Sequence, residues 1–168
     1  MKTLFYTIAL FLFVNVSIAQ DAEAFFKKGE ELYGQEKIEE AIKEYTKALA
    51  VDPEHMNALL RRGFAYSQTE KYDLAVADFS KIIAMKPNHI WAYTSRGSAY
   101  NKLKKYTLAM NDFNKVLTLD PENQEAYNNR GWAKKFTGDS DGACADWKKS
   151  KKMGNEEAKI ILKNSGCK

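Results

Sequence analysis

Residues 90–123 read IWAYTSRGSAYNKLKKYTLAMNDFNKVLTLDPEN, and a set of offsets within them recurs along the chain. Tyr93, Gly97, Tyr100, Ala109, Phe113 and Pro121 stand at those offsets. Moving back 34 residues gives Leu59, Gly63, Tyr66, Ala75, Phe79 and Pro87, and moving back again gives Phe25, Gly29, Leu32, Ala41, Tyr45 and Pro53. Moving forward gives Tyr127, Gly131, Lys134, Ala143, Trp147 and Asn155. Self-similarity at one period marks a protein of stacked repeats, each unable to bury its apolar face alone.

With the first position at Ala22, four units follow: 22–55, 56–89, 90–123 and 124–157. Each holds two apolar runs at helical spacing. In the third, Trp91, Tyr93, Thr94, Gly97, Tyr100 and Asn101 form one run; Tyr106, Ala109, Met110, Phe113, Val116 and Leu117 form the next. The LKKY stretch at 103–106 predicts an exposed turn between them. Pro53, Pro87 and Pro121 end the second helices, because the residue before a proline is pushed out of the helical region. Gly29, Gly63, Gly97 and Gly131 fall mid-helix, where glycine costs about 1 kcal/mol against alanine. They predict close helix approach, with Ala41, Ala75, Ala109 and Ala143 as the opposing small surface.

The fourth unit departs from the pattern. Lys134 replaces a tyrosine, Ser150 takes a small apolar position, and Gly154–Asn155 replaces the Asp–Pro end. Beyond it, EEAKIILK at 156–163 puts Ala158, Ile161 and Leu162 on one face. That pattern predicts a capping helix from near 155, ending at Asn164–Gly166, with 158–168 as its remainder and the tail. If it folds back near Gly154, Cys144 and Cys167 lie at similar distances from the turn, and a disulfide between them is expected. The competing reading is two unrelated thiols, one in the core and one in the tail. No C-x-x-C and no histidine partner points to a catalytic thiol.

At the other end, residues 1–19 read MKTLFYTIALFLFVNVSIA. Lys2 precedes an apolar run from Leu4 to Val14, and Ser17 and Ala19 suit a cleavage before Gln20. This is the layout of a signal peptide. It predicts a secreted or periplasmic protein, where a disulfide is chemically permitted. The run is short for a bilayer span, which needs about 20 apolar residues.

The repeat length and its pattern of aromatic, Gly, Tyr, Ala, aromatic and Pro resemble tetratricopeptide repeats. The resemblance implies an all-α fold, a right-handed α-solenoid of stacked antiparallel helix pairs. It also implies a concave face lined by the first helices of the units. The matching positions here are Phe26, Glu30 and Tyr33; Asn57, Leu60, Phe64 and Ser67; Trp91, Thr94, Ser98 and Asn101; and Glu125, Asn128, Trp132, Lys135 and Phe136. Aromatic, amide and hydroxyl groups on rigid helices suit peptide or protein recognition. Each aromatic has the alternative of packing between helices. Some family members clamp the C-terminal carboxylate of a chaperone. The clamp positions here hold Phe26, Glu30, Arg61, Trp91 and Ser95, which supply no clamp.

Base and acid also recur together: Lys28 with Glu44, Arg62 with Asp78, Arg96 with Asp112, and Arg130 with Asp146. The fixed offset predicts a ladder of ion pairs between helices rather than a row of free arginines for an anionic ligand. The full chain has a net charge of +4, too little to argue for nucleic acid. Residues 20–55 carry ten acids and five bases, whereas 124–168 carry ten bases and six acids. Lys148, Lys149, Lys151 and Lys152 are the densest basic cluster. They read as a solvated helix end, with contact to a membrane surface or acidic partner as the second reading. His55 and His89 are expected in exposed loops. Two cysteines and two histidines make a multi-ligand metal site improbable, no cofactor motif occurs, and the oligomeric state is left open. Glu30, Glu125 and Lys135 are dispersed over several units, so no catalytic cluster is expected. The reading is a binding module, with a structural assembly subunit that uses stack ends or the convex face as the alternative.

Overall fold

The computed structural model describes residues 21–167, and the expected signal peptide lies outside them. Every regular element among the described residues is a helix. The chain falls into two compact units divided between Glu70 and Lys71.

The first unit holds α1 (21–34), α2 (Ile38–Val51) and α3 (Met56–Gln68). Its core includes Ala41, Ile42, Tyr45, Ala48, Ala58 and Leu59. Phe26 of α1 lies against the rings of Tyr45 and His55. The second unit holds α4 (Tyr72–Met85), α5 (Ile90–Lys102), α6 (Tyr106–Leu119), α7 (Gln124–Phe136), α8 (Ser140–Lys152) and α9 (Glu156–Asn164). In it each helix packs on the next in sequence, and α5 also touches α7. Helices start at Met56, Ile90 and Gln124, one repeat period apart.

The core of the second unit includes Ala75, Phe79 and Ile82 of α4 and two further clusters. Between α5, α6 and α7, Ala109, Phe113, Val116, Ala126 and Ala133 are buried, flanked by Tyr93, Tyr100 and Leu117. At the C-terminal end, Ala143, Trp147 and Ala158 are buried, flanked by Trp132, Ile161 and Leu162. Burying one such large side chain contributes about 1.5–3 kcal/mol.

The mid-helix glycines make room for rings, not for the alanines expected opposite them. A Cβ on Gly97 would stand 2.8 Å from the Phe113 ring, and one on Gly131 would meet the indole of Trp147. Gly29 faces Tyr45 in the same way. The reason is geometric: the ring of the second helix occupies the space that a Cβ on its own first helix would need, so a side chain there would push it away.

Turns and caps repeat as well. Glu36, Glu70 and Lys104 adopt positive φ at the turn inside each helix pair, and Gly138 takes that place in the last. His55 and His89 are not plain loop residues. Each caps a helix, its ring Nδ1 accepting from the backbone N–H of Ala58 or Ala92 at 3.1 Å. Asn123 and Asn155 do the same with side-chain oxygens for α7 and α9. A cap of this kind satisfies an orphan N–H and stabilises the helix by about 1 kcal/mol.

Candidate functional site

Ion-pair rungs cross-link the helices of the second unit. Arg96 donates to both carboxylate oxygens of Asp112, at 2.8 and 2.7 Å, and its third nitrogen reaches Ser80 of α4 at 3.0 Å. Arg130 grips Asp146 at 2.8 and 2.7 Å and reaches Asn114 of α6 at 2.6 Å. Each guanidinium therefore ties its own second helix and the preceding one to a first helix. The carboxylate bonds raise the pKa of both arginines against the opposing effect of burial. With two parallel bonds to a buried acid, these arginines are committed to the scaffold.

In the first unit a lysine takes the arginine's place in the first pair. Lys28 stands 3.7 Å from Glu44, which Lys47 approaches at 2.7 Å. The bond from Lys47, then the charge of Lys28, lowers the pKa of Glu44 against the opposing effect of burial. Arg62 donates to Thr46 at 3.1 Å. Asp78, on α4, is buried.

With those arginines removed from consideration, the first-helix face can be read residue by residue. In the first unit Glu30 pairs with Arg61 at 2.9 Å and accepts from the Tyr45 hydroxyl, while Tyr33 donates to Gln68 at 2.9 Å. Burial, then the bond to Glu30, pushes the Tyr45 hydroxyl far above its ordinary pKa. Phe26, Leu60, Phe64 and Ser67 are half-buried, and Asn57 is exposed.

In the second unit Trp91 is 66% exposed, the most exposed large apolar side chain among the described residues. Ser98, Asn101, Trp132 and Lys135 also reach the surface to different degrees. Thr94 and Asn128 correct the expectation from position. Thr94 is buried and donates to the Ile90 carbonyl, as hydroxyls in helices do. Asn128 is 2% exposed, because α9 lies over it and Glu157 accepts from its amide nitrogen at 2.9 Å. Trp132 is partly core, packed edge-on to Trp147 and beside Phe136. Lys135 stands over the Trp132 and Trp147 rings at 5.2 and 5.8 Å.

Two recesses lie along this face. One of about 450 Å³ is lined by Lys86, His89, Trp91, Thr94, Asp120 and Glu125, among others. The other, of about 370 Å³, is lined by Ser98, Asn101, Lys102, Asn129, Trp132, Phe136 and Glu157. Asn101 donates to the Asn129 carbonyl at 2.9 Å, which leaves its Oδ1 shielded from solvent and without a partner among the described residues. Desolvation, then the nearby charge of Glu157, raises the pKa of Glu125.

Sequence position alone did not reveal Glu157 or Asn129 as part of this face. Glu157 arrives from α9, which no repeat-position rule covers. Asn129 stands beside Asn128 and was readable only as its helical neighbour.

Cys144 of α8 and Cys167 beyond α9 are bonded, with their Cα atoms 5.6 Å apart. Lys148, Lys151 and Lys152 line a recess beside Cys167 and Leu162, and Lys149 stands over the Tyr127 ring. Among the described residues no helix is long and apolar enough to cross a membrane, and no group of three or more His, Cys, Asp or Glu side chains is arranged to hold a metal.

Models described as tetratricopeptide repeat match residues 26–90 and 90–123. A search of the curated proteins found no significant match. Among solved structures, MamA (residue 41 to the end) from Desulfovibrio magneticus RS-1 superposes with a TM-score of 0.81 at 20% identity, over 86% of this chain and 83% of that one. The first tetratricopeptide domain of Spaghetti (RPAP3), solved with the HSP90 peptide SRMEEVD, is 32% identical, with a TM-score of 0.67. That match covers 71% of this chain and 95% of the other. The tetratricopeptide domain of Arabidopsis OM64 is 24% identical, with a TM-score of 0.65 over 70% and 98% of the two chains.

Proposed function

The chain belongs to the tetratricopeptide repeat family, and from that premise we propose that it is an exported scaffold that binds a protein or peptide segment on the first-helix face of its repeats. The observation that carries this reading is Trp91. A tryptophan 66% exposed on a face whose backbone is braced by the Arg96–Asp112 and Arg130–Asp146 rungs is an anchor on a rigid support. A braced receptor loses little freedom on binding, so more of the contact energy appears as affinity. The solved relative with a bound peptide supports the class of ligand but not its sequence. Four repeats at 22–55, 56–89, 90–123 and 124–157, and cleavage before Gln20, belong to the same proposal. Export is supported by the apolar run at 4–14 and by the Cys144–Cys167 bond.

The test is capture of partners from the native compartment by the unaltered chain and by Trp91→Ala. Trp91 is the right residue to change because it contributes little to the core, whereas Trp132 supports Trp147. A folded Trp91→Ala protein should lose its partner. Retention of the same partner at the same yield by that variant would refute the groove.

A further inference from the structure

The second half of α8 and the whole of α9 concentrate positive charge. Residues 148–167 hold six lysines against two acids, and both acids are engaged. Glu156 pairs with Lys159 at 3.0 Å, and Glu157 accepts from the nearly fully buried Asn128 at 2.9 Å. Lys149 lies over the Tyr127 ring. Among the described residues no ion pair engages Lys151, Lys152 or Lys163. Lys148, Lys151 and Lys152 stand at helical spacing on α8 and line one recess of about 420 Å³, with Leu162 and Cys167 as its apolar side. The Cys144–Cys167 bond fixes that side, because it ties the segment after α9 to α8 one turn before Lys148. Lys159, one turn before Leu162, and Lys163 carry the basic surface onto the solvent face of α9, which they share with the 59% exposed Ile160.

The types of side chain say what such a surface fits. Arginine stands where a planar fork must grip one carboxylate, at Arg96 and Arg130. Every cation of residues 148–167 is instead a lysine, a compact charge on a flexible stem. Such charges suit a field of mobile anions better than one fixed acidic group. The apolar side chains among them point the same way. Lysine stems lie along apolar surface while their ammonium groups reach outward, and apolar groups set among lysines make a surface that rests on a bilayer.

We propose that this C-terminal surface of α8 and α9 docks on an anionic lipid surface, with Lys148, Lys151, Lys152 and Lys163 toward the phosphate headgroups and Ile160 at the acyl boundary. The attraction is of opposite charges across a water layer, so it needs no fixed partner geometry and fades within a screening length. The lysine recess shares no lining residue with the recess beside Trp91, so lipid docking and peptide binding are separable.

The experiment sediments the disulfide-intact chain from Gln20 onward, which leaves out the apolar run at 4–14, with two kinds of vesicle. One is phosphatidylcholine alone, and the other is phosphatidylcholine mixed with phosphatidylglycerol. Only the mixed vesicles should carry the protein down. Their binding should weaken about fivefold for each lysine removed in Lys151→Gln, Lys152→Gln and the double variant, with unchanged thermal unfolding. Raising the salt from about 0.1 M to about 1 M, which shortens the reach of the field from about 10 Å to about 3 Å, should release most of the protein. Ile160→Ser should weaken binding as well, and Trp91→Ala should leave it unchanged. Equal binding to both vesicles, no binding to either, or a preference that survives both Gln changes overturns the proposal. Displacement by soluble polyglutamate, with binding indifferent to Ile160→Ser, assigns the lysines to an acidic protein and overturns the lipid.

Discussion

The third helix pair, α5 with α6, and the fourth, α7 with α8, are built on one plan and end differently. Both stack a ring on a glycine, Phe113 on Gly97 and Trp147 on Gly131. Both brace themselves with an arginine fork on a buried aspartate. The third pair passes Val116 and Leu117 on to α7, and the next pair covers it. Among the described residues the fourth is followed by α9 and not by another pair. It replaces that cover with a larger ring, a nine-residue helix and a disulfide. Its ring is also tied by hydrogen bond, the Trp147 indole N–H donating to the Asn128 carbonyl at 3.2 Å, and Ser150 donates to the Gln124 carbonyl at 2.7 Å. Lys134 adds a 2.9 Å contact to Asp146. The fourth pair thus makes with α9 and its own side chains the contacts that the third receives from the pair after it.

The largest expected effect tests whether the cap buries as well as a neighbouring repeat does. Phe113→Ala and Trp147→Ala should each cost about 3–5 kcal/mol, read as a fall in the urea midpoint. If Trp147→Ala costs less than about 1 kcal/mol, α9 is not packed in solution and the equivalence of the two pairs is broken.

Next in size is the disulfide. Cys144→Ser with Cys167→Ser should lose about 3 kcal/mol, because the bond closes a loop across 23 residues of sequence. The comparison makes the prediction local. Amide exchange should quicken in α8 and α9 and stay unchanged in α5 and α6. A helix of nine residues is too short to hold together by itself, so its order depends on docking and the tether.

The intra-pair turns give a smaller and opposite pair of effects. Lys104 sits at φ 59°, whereas Gly138 takes the same place at φ 91°. Lys104→Gly should stabilise the third pair by up to about 1 kcal/mol, and Gly138→Lys should destabilise the fourth by a similar amount. Thermal melts of both variants check the signs.

The smallest effect is a pH dependence. Glu125 stands where the third pair has Trp91, and its pKa is raised by desolvation and by Glu157. An acid with a raised folded pKa destabilises the native state at neutral pH, and that cost disappears once pH falls below its ordinary value of 4.5. Glu125→Gln should therefore raise the melting temperature slightly at neutral pH, and the gain should vanish under acidic conditions. A gain that persists there has another cause.

The fold was legible because it is written more than once. A helix-period pattern that recurs with Gly97 and Phe113 at the offsets of Gly131 and Trp147 leaves little freedom in where helices lie. The spacing of Arg96 and Asp112 was readable for the same reason: a fixed offset between helices of fixed length puts the same atoms together in the third and fourth pairs. The candidate groove was legible only in part. Position pointed to Thr94 and Asn128 as surface, but a side chain's neighbours depend on what crosses above it, and α9 crosses Asn128.

The sequence by itself thus determined the period, the helix pairs and their stops, because local propensity and repeat register act on every copy alike. It also brought Cys144 and Cys167 to matching distances from one turn. Only the tertiary structure decided which face of α7 is covered, that Gly97 serves a ring and not an alanine, and that Glu157 of α9 accepts from Asn128 of α7. Those outcomes depend on contacts between residues distant in the chain, and no offset within a single repeat encodes them.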